Sequence, residues 1–165
     1  MKEQQKLIIT QGIPASGKST WAKQFVLKSP LTRVRVNRDD IRNMLGKYWV
    51  PQREELVSDI EHVTVYEALE ANYTVILDST NLNPNFLQQW IDLAEDFEIE
   101  IEYKQFPIEL GEAIRRDALR ENPVGKNVII NFYNKYNDKL TSMITTNALD
   151  KAEELFEEIN NMSIT

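Results

Sequence analysis

Apolar and polar positions along this chain follow two periods, and the period changes repeatedly. Residues 6–11 (KLIITQ) are a short apolar run ended by Gly12, the pattern of a buried strand. Residues 20–28 carry helical spacing and stop before Pro30. Residues 32–37 (TRVRVN) alternate, with Val34 and Val36 on one face, which predicts a second strand. A short helix is expected over 39–47. A long acidic one is expected over 51–71, with Leu56, Ile60, Val63 and Leu69 near one face. Residues 73–78 (YTVILD) are strongly apolar, so the third strand should be central. Asn83-Pro84 opens a helix that ends near residue 97, with proline at a tolerated first-turn position. Residues 98–106 alternate as a fourth strand. Helices are expected over 110–120, 128–144 and 148–160, with ENPVGK at 121–126 as a loop. Strands alternating with helices predict an α/β fold, a three-layer sandwich with a parallel central sheet of about four strands. No linker or repeat interrupts it, so residues 1–165 are expected to form a single domain.

Composition narrows the classes. At 165 residues the chain can bury a sizeable core, and with no cysteine it has no disulfide, thiolate nucleophile or zinc finger. The start is too short in apolar residues for a signal peptide, and no run suits a membrane span. A cytoplasmic protein is the default expectation. The net charge of −7 argues against a polyanionic partner until it is divided by segment. Residues 1–50 hold ten Lys/Arg against three Asp/Glu, a net of +7, whereas 51–102 hold one against thirteen, a net of −12. The local field matters more than the total.

The basic segment contains the clearest motif. GIPASGKS at 12–19 is G-x-x-x-x-G-K-[ST] between a predicted strand and a predicted helix, the context a phosphate loop requires. Glycines let the backbone turn its N–H groups toward phosphate oxygens, and the helix N-terminus adds a favourable dipole. Gly12, Ser16, Gly17, Lys18, Ser19 and Thr20 are the candidates for binding ATP or another nucleoside triphosphate. Lys18 should reach the β- and γ-phosphates and Ser19 should hold Mg²⁺. No D-x-x-G follows, and Asn134-Lys135-Tyr136-Asn137 has Asn where a base-reading Asp would stand, which weighs against a GTPase switch.

VRVNRDDIRN at 34–43 places Asp39 and Asp40 at the end of the second strand, where ligands sit in an open parallel sheet. Asp39 could simply cap the next helix. Arg42 fits that reading poorly, because a cation is disfavoured in a first helical turn, and it suggests an anionic ligand unless it simply pairs with a nearby acid. A carboxylate here could take a proton from a hydroxyl nucleophile, and an arginine one turn on could grip a phosphate. Asp78 ends the third strand, either as a Mg²⁺- or arginine-orienting carboxylate or as an ordinary turn residue. Arg116 and Arg120 share a helical face and lead into a Pro- and Gly-containing loop. They could neutralise transition-state charge from a lid, or be a solvated face. His62 is given no role. No aromatic–basic constellation reads as a base-stacking platform, and Trp21 and Trp49 read at least as well as packed residues.

GIPASGKSTWAKQF, VNRDDIR, DSTNLNP and R-x-x-x-R-x-x-x-x-G-x-x-V together resemble the kinase domain of phage-type polynucleotide 5′-hydroxyl kinases, in order from about residue 7 to 136. The resemblance implies a P-loop kinase-like fold with an arginine-bearing lid over about 115–127 and C-terminal helices over about 128–161. It implies ATP- and Mg²⁺-dependent phosphorylation of nucleic acid 5′-OH ends, RNA or DNA. Catalytic roles fall to Lys18, Asp39 (general base) and Arg120, and nucleotide binding extends to Arg116. Arg42, with Arg38 and Asp78, is implied on the substrate side, Arg42 binding the 3′-phosphate of the terminal nucleotide. Asp78 departs from the phage pattern by standing two residues before Thr80-Asn81, and no D-x-D-G-T phosphatase motif is present, so a kinase without 3′-phosphatase is expected. A kinase of a small hydroxyl compound and a non-catalytic nucleotide-binding module are the alternatives.

Overall fold

All four segments with strand patterning pair into one sheet in the computed structural model, which describes residues 4–136, 138–140, 142 and 153. β1 (Lys6–Gln11), β2 (Arg33–Val36), β3 (Thr74–Leu77) and β4 (Glu100–Gln105) lie in the order β2-β3-β1-β4. The sheet is parallel, and β3 sets Val75 beside both Leu7 and Val34. β3 is buried at every position and β1 from Leu7 onward, which is why these two read as continuous apolar runs. The edge strands β2 and β4 are only partly buried, and their sequences alternate. From β1 the chain passes over β3 to reach β2, and from β3 it passes over β1 to reach β4. The winding therefore reverses between β1 and β3, a switch point at whose carboxyl side ligands bind.

The helices are α1 (Lys18–Leu27), α2 (Arg38–Met44), α3 (Glu54–Glu70), α4 (Pro84–Asp96), α5 (Leu110–Ala118) and α6 (Lys126–Lys135). One core joins Leu7, Ile9, Val75 and Leu77 of the sheet to Val57, Val65 and Leu69 of α3 and to Leu87, Trp90 and Leu93 of α4. The alternate sheet residues Ile8 and Ile76 pack with Trp21, Ala22, Phe25 and Val26 of α1. Period-two strands thus supply both faces of a three-layer sandwich. His62 stacks on Trp90, 5.7 Å between ring centres, a packing role.

Three expectations change. The long helix begins with a separate 3₁₀ turn, Pro51–Arg53, before α3. Its buried stripe is Val57, Glu61, Val65 and Leu69, while Leu56 and Val63 are exposed. The stripe differs from the expected one because a glutamate, Glu61, occupies one of its positions. α2 ends at Met44, because Gly46 at φ 95° turns the chain out of the helix. The helix expected over 148–160 lies outside the described residues, apart from residue 153.

The chain divides into two compact units, Met1–Gln11 with Gly17–Lys104, and Gly12–Ser16 with Gln105–Thr165. Among the described residues no helix is long and apolar enough to cross a membrane.

Candidate active site

The phosphate loop owes its shape to particular backbone positions. A Cβ on Gly12 would come within 2.7 Å of Ser16 Oγ and 2.9 Å of the Phe106 carbonyl oxygen, so only glycine fits there. Ala15 (φ 65°) and Gly17 (φ 99°) are both left-handed, with buried Ser16 between them. A left-handed alanine is a local strain of on the order of 1–3 kcal/mol, of the kind that collects at functional sites. Lys18 opens α1 and is buried at 7% exposure, Ser19 is half-buried and Thr20 is exposed. α1 has no side-chain N-cap bond and no acid in its first turn, an arrangement suited to an anion at its N-terminus.

The carboxyl ends of β1 and β3 are stitched together by residues that sequence reading passed over. Thr10 Oγ1 donates to the carbonyls of Leu77 and Ser79, both at 3.0 Å. Asn81 Nδ2 donates to the carbonyls of Thr10 (2.8 Å) and Leu77 (3.1 Å), and Gln11 Nε2 donates to the Asn81 carbonyl. Asn81 sits at φ 47°, a conformation asparagine tolerates. DSTN is therefore more than a turn: its Asn fixes the loop after β3 to the strand that feeds the phosphate loop.

Asp78 is fully buried at the end of β3. Its Oδ2 accepts from Arg35 Nε at 2.6 Å and from Asn37 Nδ2 at 3.2 Å. The arginine that Asp78 orients is thus Arg35 of β2, which carried no role in the sequence reading. Arg35 also pairs with Asp40. Burial would lower its pKa, but Asp78 and Asp40 outweigh burial and raise it.

The cap of α2 corrects two steps. Asn37, not Asp39, is the N-cap: its Oδ1 accepts from the Asp40 N–H at 3.0 Å, and its Nδ2 donates to the Asp78 carbonyl at 2.6 Å. Because α2 has only seven residues, Arg42 belongs to its last turn, where a cation suits the dipole. Its position alone therefore no longer demands an anionic ligand.

Its contacts say more. Arg42 Nε and Nη2 grip Glu54 at 2.9 and 2.7 Å, and Nη1 donates to Asp39 Oδ1 at 2.7 Å. The hydroxyl of Tyr48 donates to the same Asp39 oxygen at 3.0 Å. Arg38 is directed to α3, with Glu61 at 2.7 Å, Ser58 at 3.1 Å and Glu54 at 3.3 Å. The hydrogen bonds from Arg42 hold Glu54 below the usual carboxylate range and raise Arg42. Burial pushes Glu61 up, against the pull of Arg38. The acidic face of α3 is thus partly inward and neutralises the α2 arginines. Trp21 packs on Phe25 with 4.9 Å between centres, but Trp49 is exposed beside Arg42, contrary to the packed reading.

In the second unit, Arg115 and Arg116 of α5 both bind Glu112, each with a closest distance of 2.7 Å, and hold its carboxyl down to about 2. Arg120 reaches Asp117 Oδ1 at 3.4 Å. Asp117, 2% exposed, accepts from the N–H groups of Val124 (3.1 Å) and Gly125 (2.9 Å) and so closes the loop after α5. Sequence reading gave it no role; the only signal was an acid just ahead of a Pro- and Gly-containing loop. Gly125 at φ 96° occupies backbone space open essentially to glycine.

The residues present fit Mg²⁺, a hard cation that takes few protein oxygens together with phosphates and water. Asp78 Oδ1 is buried with no hydrogen-bond partner among the described residues, and Ser19 carries a hydroxyl in the first turn of α1 on the same unit. Among the described residues no cluster of three or more His, Asp or Glu forms a dedicated all-protein cage.

A family model described as an AAA domain matches residues 7–139. The L-seryl-tRNA(Sec) kinase of Methanococcus maripaludis is 28% identical over 133 residues, 79% of this chain and 52% of that protein. The bifunctional polynucleotide phosphatase/kinase of Schizosaccharomyces pombe is 29% identical over 99 residues, 60% of this chain and 20% of that protein. A solved structure, that of the Pnkp1/Rnl/Hen1 RNA repair complex, is similar at 29% identity with a TM-score of 0.70, over 88% of this chain and 47% of that one. The chain thus spans about half or less of the length of these relatives.

Proposed function

This chain belongs to the AAA-domain family, and from that premise we propose that it is a P-loop phosphotransferase that moves the γ-phosphate of ATP to the 5′-OH end of a polynucleotide. The observation that carries the reading is the setting of Asp39. It is a half-exposed carboxylate just past the carboxyl end of β2, with one oxygen fixed by Arg42 and Tyr48. The other oxygen, Oδ2, serves as general base. It takes the proton of the 5′-hydroxyl as that oxygen attacks the γ-phosphorus, the bond to the β–γ bridging oxygen breaks, and ADP leaves. Lys18 binds the β- and γ-phosphates and Arg120, with Arg116, neutralises the developing charge. Ser19 would hold Mg²⁺, with Asp78 as a nearby carboxylate, and the bound cation would neutralise charge on the phosphates.

Arg42 retains capacity for an acceptor phosphate. Its bonds to Glu54 and Asp39 occupy three N–H groups, which leaves one on each terminal nitrogen. In this reading Arg38 works at one remove, holding α2 against α3. The names of the relatives, one a tRNA-linked kinase and one a polynucleotide kinase, support an acceptor carried on nucleic acid.

Transfer of label from γ-labelled ATP, assayed in parallel on 5′-OH RNA, 5′-OH DNA, 3′-mononucleotides, seryl-tRNA and small alcohols, tests the proposal. Label should appear on 5′ ends, and Asp39→Asn should lower turnover about 10²- to 10⁴-fold while ATP binding persists. Label confined to seryl-tRNA or to small alcohols overturns the 5′-end assignment. ATP binding without transfer to any acceptor overturns the phosphotransferase itself.

A further inference from the structure

The segment between α2 and the 3₁₀ turn presents two adjacent aromatic rings and holds them in place. Gly46 at φ 95° reverses the chain as α2 ends, and its N–H donates to the Asn43 carbonyl at 3.0 Å. Arg53 Nη1 donates to the Leu45 carbonyl at 2.7 Å, which ties the other end of the segment back to α2. Between these anchors Tyr48 is 41% and Trp49 54% exposed. Single exposed aromatics are ordinary. Here two neighbours flank one arginine, whose guanidinium carbon lies 5.5 Å from the Trp49 ring centre and 6.0 Å from that of Tyr48. The same Tyr48 bonds Asp39 through its hydroxyl, so its ring is tied to the residue assigned as base. Lys47 and Arg53 lie around Arg42 and Tyr48 together with Glu54, so three cations and one acid border the aromatic surface.

Flat rings bordered by cations, next to a hydroxyl-activating carboxylate, match one ligand chemistry best: the planar base and phosphates of a single-stranded nucleic acid end. We propose that Tyr48 and Trp49 form a stacking platform for the terminal base of the acceptor strand. This deepens, and rests on, the 5′-end reading above. The platform orients the terminal nucleotide so that its 5′-oxygen reaches Asp39 while its phosphate meets Arg42. Stacking accepts any base, so this site distinguishes an end that carries a base from one that does not and reads no sequence.

The test compares 5′-OH oligonucleotides that end in a normal nucleotide with others that end in an abasic one, using wild type, Trp49→Ala and Trp49→Phe. In wild type the abasic end should raise KM by about 10-fold, within the range one base–aromatic stack carries. In Trp49→Ala the ratio of the two KM values should fall toward one, and Trp49→Phe should keep most of it. Tyr48→Phe keeps the ring, so it should preserve the ratio. A wild-type ratio near one, or a ratio unchanged in Trp49→Ala, overturns the platform and leaves the kinase reading standing. Failure of wild type to label any polynucleotide end removes the kinase reading and the platform with it.

Discussion

Arginines on α2 and its strand, and arginines on α5, are held in opposite ways. Arg35, Arg38 and Arg42 are 14–21% exposed, and their partners include Asp78 at the end of β3 and Glu54 and Glu61 of α3. Arg115, Arg116 and Arg120 are 42–62% exposed, and each pairs with an acid three or four residues back on its own helix or at its end. A pair between elements forms only when those elements have docked, and it fixes both. A pair along one helix exists whenever the helix does and is worth little at a surface. The first set is therefore pre-ordered by the fold, and the second can exchange its acid for a phosphate at low cost. Pre-ordering suits recognition of an acceptor; exchangeable arginines suit charge that appears only during transfer.

The largest effect that separates the two sets is kinetic. Arg120→Ala should lower kcat on the order of 10³-fold or more, the scale of a donor-side arginine, with no shift in thermal midpoint. Arg42→Ala should weaken acceptor binding and also lower the midpoint, because Glu54 and Asp39 lose the cation between them. A full-strength Arg120→Ala would remove the donor role. An Arg42→Ala protein of wild-type stability would break the claim of pre-ordering.

Next comes a pair of glutamates. Glu61 is buried and Arg38 half-buried, so Glu61→Ala leaves that cation, among the described residues, with Ser58 and Glu54. A loss of about 3 kcal/mol is expected in urea unfolding, the scale for breaking a buried pair. Replacing both partners by apolar residues should recover much of it, since burial of the pair is itself costly. Glu112→Ala, which removes the partner of two surface arginines, should leave the unfolding curve where it is. Equal losses at Glu61 and Glu112 would erase the distinction between the two regions.

How much of this was legible follows from distance along the chain. The strands, the central place of the third, and the phosphate loop are written in residues at most a few positions apart, and they were readable. Asp39 and Arg42 were read as neighbours and are, at 2.7 Å. For Arg42 the structure bears out the alternative, pairing with nearby acids, and the first-turn argument does not hold because Asn37 caps a helix whose last turn contains Arg42. What stayed hidden depends on partners far off in sequence. Arg35 meets Asp78 across 43 residues and Arg38 meets Glu61 across 23. No periodicity marks a buried glutamate, so nothing in the sequence separates Glu61 from the other acids of the long helix. Asp117 was hard to see for another reason: two of its partners are main-chain N–H groups, which leave no trace in residue type. Trp49 was missed because a tryptophan in sequence carries no sign of whether its ring is covered.

The finest distinction lies within α3 itself. Glu54 and Glu61 are two helical turns apart and both touch Arg38, yet their pKa values move in opposite directions. Glu54, bonded first by Arg42, has its folded pKa below the ordinary 4.5. Its stabilising contribution is present above that value and is lost as pH falls through the folded pKa. Glu61, dominated by burial, has its folded pKa above 4.5. Its contribution is complete below that value and is lost as pH rises through the folded pKa. Thermal melts between about pH 3 and 7 should therefore show the advantage of wild type over Glu54→Gln shrinking on acidification. The advantage over Glu61→Gln should instead shrink as pH rises. Slopes of the same sign would mean that Arg38 outweighs burial at Glu61, and the inward acid of α3 would then behave like the exposed pairs of α5.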